Sequence, residues 1–395
     1  MLITSTDLSE FFSIYTVSDF STIHMLTAIE LILFSPILYL FVHYSLSILR
    51  TIPNKSLTTN IPPKKLVIIM SFRNEEMTLP LSLSPILDYI DSNYDSRLIL
   101  IDSKSDDNSS LMARRIIEER TGHSVESTIF LSSKKGGKCA ALNISFPYIE
   151  NDEQVLLVDS DAIVSSVAIG KLRNSLSSEE IGCASGLERI RQDSGTFSRN
   201  YKIRSNAIRK YQSSISSSIV VEGSMLMFDP IRIGWNGFDE SINADDAQIS
   251  AKSIISGHRS VIVEGAFFKQ ITNSPDFQFS RSVRRGQGIS SVLMKNPRLL
   301  IARGMFFETF RTWLLYIVIP WSVVMISFIA SLSLVGQLIA NQEIDGVFGV
   351  ANSLFLLVLI FSQVGRSLFI GSVSMITAHY RIILGKSYSS WEPIR

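Results

Sequence analysis

The acidic pair Asp159 and Asp161 follows the apolar run Val155-Leu156-Leu157-Val158. Two carboxylates at such spacing, at the exit of a strand, can share one hard divalent cation. Mg²⁺ or Mn²⁺ prefers oxygen ligands and bridges readily to phosphates. The same acids also suit a solvated turn that caps a helix over Ile163 to Leu176. A second apolar run, Leu98 to Ile101, ends in Asp102-Ser103-Lys104-Ser105-Asp106-Asp107. There Asp102 can accept hydrogen bonds from a base or ribose, or close an Asx turn ahead of a helix, with Ser105 or Asp106 as its cap. Lys134-Lys135-Gly136-Gly137-Lys138 combines close backbone approach with positive charge for phosphate, but lacks P-loop spacing. Asn243-Ala244-Asp245-Asp246 precedes a helical run, Ala247 to Ser256. Its acids read either as helix caps or as a general base beside a charge partner.

These groups need elements to hold them. Leu66 to Phe72, Arg97 to Ile101 and Gln154 to Val158 are short continuous apolar runs, as expected for strands buried on both faces. Leu111 to Arg120 has helical spacing, with Asp106 and Asp107 placed to favour its positive end. Strands alternating with helices predict an α/β domain with a mainly parallel sheet and ligands at the carboxyl ends of the strands. No solenoid-type repeat is present.

The remainder of the chain is unusually apolar. Of 395 residues, 46% are hydrophobic and only 18% charged, against about 25% charged in an ordinary soluble domain. A net charge of +1 excludes a broad electrostatic grip on nucleic acid, and the apolar content excludes disorder. Cys139 and Cys183 suit a reducing compartment, as buried fillers. Leu26 to Leu49, Thr312 to Ala340 and Val347 to Gly365 each approach or exceed the roughly 20 residues that cross a bilayer as a helix. Glu30, within the first run, is expected near the outer interface or packed on another helix, with contact to a lipid-linked ligand as the functional alternative.

Acidic residues precede the first run, and Arg50, Lys55, Lys64 and Lys65 follow it. The positive-inside bias then predicts an outside N-terminus and a cytoplasmic middle segment. The resulting plan is an extracytoplasmic segment over 1–25, a span over 26–49, a linker over 50–65 and a catalytic domain over 66–276. An interfacial helical segment over 277–308, spans over 309–340 and 347–384, and a cytoplasmic tail over 385–395 complete it. The stretch from Arg366 to Leu384 is open to two readings, crossing the membrane or lying along its surface.

Taken in order, Ser71-Phe72-Arg73-Asn74-Glu75, Asp102-Ser103-Lys104-Ser105, Gly136-Gly137-Lys138, Asp159-Ser160-Asp161, Gly223-Ser224-Met225, Asp245-Asp246 and Arg284-Arg285-Gly286-Gln287-Gly288 resemble the membrane-bound family-two inverting glycosyltransferases, of which cellulose and hyaluronan synthases are processive members. The resemblance covers roughly Leu66 to Gly288. It implies a GT-A fold, a nucleotide-sugar donor and a divalent metal, Mg or Mn. Glu75 and Asp102 would then contact the nucleoside, and Lys138 the donor diphosphate. Asp159 and Asp161 would form the DxD pair, with Asp161 the direct metal ligand. Asp246 would be the general base, and Arg284 would face the pyrophosphate. Gly223, Asp245 and Arg285 would fall on the acceptor side.

Departures from the family pattern matter too. Ser103 stands where many members have a second Asp, and Lys104 where many have Gly. Arg281 and Arg285 replace the Gln and Trp of the family's QxxRW motif. The missing Trp argues against a single-chain polymer pore and for transfer of one or a few sugars onto a lipid-linked or glycan acceptor at the plasma membrane. A processive synthase, a nucleotidyltransferase and a non-catalytic membrane subunit are the alternatives, and homo-oligomerisation is left open.

Overall fold

The computed structural model describes residues 20–49, 61–190, 196–271, 278–302, 305–339 and 346–386. The segment before Phe20, most of the 50–65 linker and the tail after Lys386 lie outside the described residues. In chain order the main elements are α1 (Phe20–Leu49), β1 (Lys65–Phe72), α2 (Leu79–Asp91), β2 (Ser96–Asp102), α3 (Ser109–Glu118) and β3 (Thr128–Ser132). There follow α4 (Lys138–Asn143), β4 (Glu153–Asp159), β5 (Ala162–Val164), α5 (Ser166–Leu176), β6 (Ile181–Glu188) and α6 (Thr196–Ile215). Then come β7 (Met225–Phe228), α7 (Asp245–Ile255), β8 (Arg259–Gln270) and α8 (Gln278–Lys295). The chain continues through α9 (Phe306–Trp313), a π-helical stretch at Leu314–Val318, α10 (Ile319–Ile339), α11 (Gly346–Phe361) and α12 (Gln363–Ile383).

Two compact units result, one from Met1–Leu46 with Trp313–Thr377 and one from Ser47–Thr312 with Ala378–Arg395. The second holds an eight-stranded mixed sheet in the order β3-β2-β1-β4-β7-β6-β8-β5. It is mostly parallel: β1 pairs in parallel with β2 and β4, β2 with β3, and β6 with β8. β7 runs antiparallel between β4 and β6, and β5 antiparallel on β8.

Alternation along β1 explains the layering. Leu66, Ile68, Met70 and Phe72 point into a core shared with Leu83, Ile86 and Leu87 of α2 and Leu172 of α5. Val67 and Ile69 point the other way, toward Ala141 and Leu142 of α4, Phe228 of β7 and Ile249 of α7. A strand apolar on both faces can only be stable between two helical layers. The parallel register aligns Ser71 with Asp159 and Phe72 with Asp102, so the strand exits lie along one edge. That edge is where β1 is flanked by strands reached in opposite directions, the usual ligand crevice of such sheets.

One expectation is corrected here. Asp159 and Asp161 do not cap a helix beginning at Ile163. β5 occupies Ala162–Val164, and α5 starts at Ser166 with Ser165 as its cap, whose side chain accepts from the Ala168 amide. Nor do Ser105 or Asp106 cap α3; its N-cap position is Asn108.

Ala28–Leu46 within α1 is long and apolar enough to cross a membrane, as is the helical stretch Phe306–Val335. A third span exists only if Gly349–Phe361 and Gln363–Ile383 are counted together, and they are bent by 88° at Ser362. Among the described residues the expected three are therefore two helices that are long and apolar enough to span, or three with a broken last member. Glu30 accepts a hydrogen bond from Asn352 Nδ2 at 3.1 Å, so its carboxylate packs on α11 as one of the two expectations held. Hydroxyls in α10 are satisfied by their own helix: Ser327 Oγ donates to Val323 O and Ser331 Oγ to Ser327 O, each at 2.7 Å.

Candidate active site

β4 carries its apolar run to the edge and delivers Asp159 as its last residue. Asp159 is fully engaged: Oδ1 accepts from Lys138 Nζ at 2.6 Å and Oδ2 from Ser224 Oγ at 2.8 Å. Burial works against its charge, but Lys138 and these hydrogen bonds more than reverse that and hold it below the usual carboxylate range. Asp161 faces the opposite balance. Burial and then the charge of Asp159 raise its pKa, against a hydrogen bond of 2.8 Å from Gln270 Nε2 at the end of β8.

Lys138 opens α4 just after Gly137, whose φ of 119° is open only to glycine without strain. Its ammonium also lies 2.8 Å from Asp245 Oδ2. One cation thus joins the end of β4 to the start of α7. Burial opposes its charge, and the two carboxylates outweigh it, so the lysine stays protonated.

Asp246 follows on the first turn of α7. Burial first, and then the charge of Asp245, push its carboxyl up to about 7, partly offset by the Ala247 amide and Lys138. The Ala247 amide donates to its Oδ1 at 2.7 Å. Gly223 lies against it: a Cβ placed on Gly223 would sit 3.2 Å from Asp246 Cβ and 3.4 Å from its Oδ2. The glycine is what lets the Asp246 carboxyl come this close to the loop before β7.

Glu75 and Asp102 lie at the β1 and β2 exits. Glu75 is pushed up to about 7, mainly by burial, with the charges of Asp161 and Asp159 adding to it against a hydrogen bond from Thr78 Oγ1. Its amide donates to Ser109 Oγ at 2.7 Å. Asp102 is buried, and its Oδ1 accepts from the Ser105 amide at 2.9 Å, an Asx-type turn. Asn74 binds both flanks of that turn, its amide donating to Ser105 Oγ at 3.2 Å and its Oδ1 accepting from the Asp106 amide at 2.7 Å. Lys104, standing where glycine is expected, has a φ of 60°.

Arg284 is half-buried on α8 and Arg285 is exposed. Burial, then Arg285, lower the pKa of Arg284, while Asp159 and Asp245 favour its charge. α8 reaches the site through small residues: a Cβ on Gly288 would lie 2.6 Å from Ala244 Cβ and 2.8 Å from Asn243 Oδ1. Asn243 Nδ2 donates to Arg284 O at 3.3 Å.

The structure thus brings Lys138, Asp159, Asp161, Gly223, Asp245 and Asp246 together and sets Glu75 and Arg284 within electrostatic reach. Arg285 stands apart on the exposed side of α8. Ser224, Gln270 and Asn74 were missed as functional residues; only Ser224 and Asn74, inside the quoted motifs, carried any sequence signal.

Among the described residues no group of three or more His, Cys, Asp or Glu side chains forms a closed metal site. The donor set still fits a hard cation. Two neighbouring carboxylates, one destabilised by the charge of the other, would supply oxygen ligands, with phosphate oxygens to complete such a shell.

Comparison with known proteins bears on the fold. Residues 67–231 match the family model described as Glycosyl transferase family 2. No curated protein sequence matches the chain. Among solved structures, the mannosyltransferase PcManGT from Pyrobaculum calidifontis, in complex with GDP-Man and Mn²⁺, superposes with a TM-score of 0.74 at 18% identity, over 92% of this chain and 100% of that one. At that identity the likeness speaks to the fold. TarS from S. aureus with UDP-GlcNAc has a TM-score of 0.47 at 13% identity, over 80% of this chain and 92% of that chain. Glucosyl-3-phosphoglycerate synthase from Mycobacterium tuberculosis, with Mn²⁺, UDP and phosphoglyceric acid, has 0.42 at 14% identity, over 62% and 86%. Both are too distant to add weight.

Proposed function

We propose that residues 67–231, which match the glycosyl transferase family 2 model, form a domain of that family, and that the protein moves a sugar from a cytoplasmic nucleotide-diphosphate sugar onto a membrane-held acceptor, lipid-linked or glycan, with inversion. The observation that carries the reading is the placement of Asp246. It is a carboxyl with a pKa near 7, pressed against Gly223 beside the Lys138-bridged acids.

In a single displacement the acceptor oxygen attacks the anomeric carbon as its proton passes to Asp246. The bond to the diphosphate breaks, and negative charge grows on the leaving phosphate oxygen. A base that titrates near neutrality suits this, and such bases contribute about 10²- to 10⁴-fold. Lys138, fixed by Asp159 and Asp245, and Arg284, half-buried on α8, supply positive charge on the leaving-group side. A divalent Mg or Mn held by Asp161 and Asp159 would neutralise the diphosphate further. Glu75 and Asp102, at the exits of β1 and β2, are assigned to the nucleoside. Gly223, Asp245 and Arg285 are assigned to the acceptor side.

The apolar helices and flanking charges support an integral protein of the plasma membrane with the sheet domain in the cytoplasm, where nucleotide sugars are made. The mannosyltransferase of similar fold, solved with GDP-Man and Mn²⁺, supports nucleotide sugar plus divalent metal as the first combination to try. The test is incubation of membranes containing the protein with radiolabelled GDP-mannose, UDP-glucose and UDP-N-acetylglucosamine, with and without Mn²⁺. Label entering a lipid or glycan fraction, lost in Asp246→Asn, is the expected result. Pyrophosphate release on addition of a nucleoside triphosphate and a sugar phosphate, with no sugar transfer from any donor, would point to a nucleotidyltransferase, and no turnover of either kind to a non-catalytic subunit.

A further inference from the structure

A second layer of charge lies behind the base, and the proposed reaction does not use it. α6 places Lys202 and Arg209 two turns apart on one face of the helix. Lys202 pairs with Glu188 at the end of β6, and Arg209 pairs with Glu222. Both acids are largely withdrawn from solvent, with side-chain exposures of 10% and 22%. Glu222 is also fixed through its backbone. Its amide donates to Ser185 Oγ at 3.1 Å, and the same hydroxyl donates to Glu222 O at 2.9 Å, from a fully buried position on β6. The next residue is Gly223, whose α-carbon lies against Asp246. A carboxylate held by its backbone on one side and its side chain on the other is thus set next to the contact that seats the base.

We propose that Glu222, held by Arg209, is a positioning residue for Asp246, and that this ion pair fixes the charge which the base faces across the Gly223 backbone. The inference rests on the reading of Asp246 as the base.

The charged and titratable groups around Asp246 come from separate elements. Asp245 lies on its own helix, Lys138 and Cys139 on α4, and Glu222 on the loop before β7. On α8, Arg284 acts on Asp245, and Arg281 and Arg285 lie beside Arg284. Of these, Glu222 opposes ionisation of Asp246 and Lys138 favours it. Arg209 offsets Glu222. Removing the negative charge and removing its positive partner must therefore move Asp246 in opposite directions, which a merely structural role would not do.

The experiment uses the full chain purified in detergent. Thermal unfolding is followed from pH 5 to pH 9 for wild type, Glu222→Gln, Glu222→Asp and Arg209→Gln, each with and without Asp246→Asn. The part of the pH dependence that Asp246→Asn abolishes reports the titration of Asp246. Its midpoint should fall by about half a pH unit or more in Glu222→Gln and rise by a similar amount in Arg209→Gln. Glu222→Asp should keep it near wild type. No displacement in Glu222→Gln, or displacement in the same direction in Glu222→Gln and Arg209→Gln, overturns the proposal. Should Arg209→Gln fail to fold, the contrast between Glu222→Gln and Glu222→Asp decides alone. Sugar transfer is measured on the same samples. Loss of transfer in Asp246→Asn without a displaced midpoint in Glu222→Gln removes the role of Glu222 and leaves the base in place. Near-normal transfer in Asp246→Asn removes both.

Discussion

Lys138 Nζ lies 2.8 Å from Asp245 Oδ2, which ties the parallel half of the sheet, where α4 follows β3, to the helix that bears Asp246. The same ammonium holds Asp159 at 2.6 Å. Burial opposes the charge of Asp159, and this ammonium more than offsets it.

Lys138→Gln should therefore destabilise the domain by on the order of 1–3 kcal/mol, the cost of leaving a largely buried charged group without its partner. The sign with pH follows from Asp159, whose folded-state pKa is lowered. Its stabilising contribution is present above the unfolded value near 4 and is lost as pH falls through the folded value. The gap between wild type and Lys138→Gln should be wide at pH 7 and close below about pH 4. Denaturant titrations at the two pH values check this, and a gap that persists in acid would contradict it.

Asp246 has the reverse sign. Its folded-state pKa is raised to about 7, so between roughly pH 4 and pH 7 the folded protein holds a proton that the unfolded chain releases. Stability from this group falls as pH rises through that window. Asp246→Asn should remove that decline and be more stable than wild type at pH 8. The transfer rate should climb with pH below about 7 and level off above it. Asp246→Asn should lose about 10²- to 10⁴-fold in rate. A flat rate profile between about pH 5.5 and about pH 8.5, roughly one and a half units either side of neutrality, would argue for a different base.

Divalent metal should bind where Asp161 and Asp159 stand together. Burial and the charge of Asp159 keep Asp161 reluctant to ionise, so Mn²⁺ binding should weaken as pH falls. With Mn²⁺ and a nucleoside diphosphate, the unfolding temperature of wild type should rise by a few degrees. Asp161→Asn should show little such rise while being no less stable without metal, because one buried repulsion is gone. An equal metal-induced rise in Asp161→Asn would place the ion elsewhere.

Gly223→Ala tests the seating of the base. The new methyl would meet Asp246 Cβ at 3.2 Å, so the carboxylate must shift by a few tenths of an ångström. The unfolding free energy should change by no more than about 1 kcal/mol. The transfer rate should drop by about tenfold or more, since small displacements of reacting groups are costly. A variant that loses stability but keeps its rate would refute the assignment.

Topology can be read with one added thiol, because Cys139 and Cys183 are buried. Glu118 is exposed at the end of α3. Glu118→Cys should resist an impermeant maleimide on intact cells and react once the membrane is opened. Labelling of intact cells would reverse the proposed orientation and remove the cytoplasmic donor supply.

What the sequence determined by itself was local. The apolar runs of β1, β2 and β4 are visible because strands covered on both faces need unbroken apolar residues. The acids stand out because two of these runs end in one: β2 closes on Asp102 and β4 on Asp159. The long uncharged helices are equally legible, since a bilayer demands length and apolarity of a single segment. Tertiary structure decided the rest. β6 and β8 carry glycine, serine and charged residues, β7 is only four residues long, and their pairing depends on neighbours far along the chain. α6 is polar, and its place comes from Glu188 and Glu222, which periodicity cannot foresee. The residues after Asp161 read as a helix start until β8 supplies the partner that makes them a strand. Which carboxylate is ionised follows from burial and from Lys138, and both exist only once separate strands and helices have met.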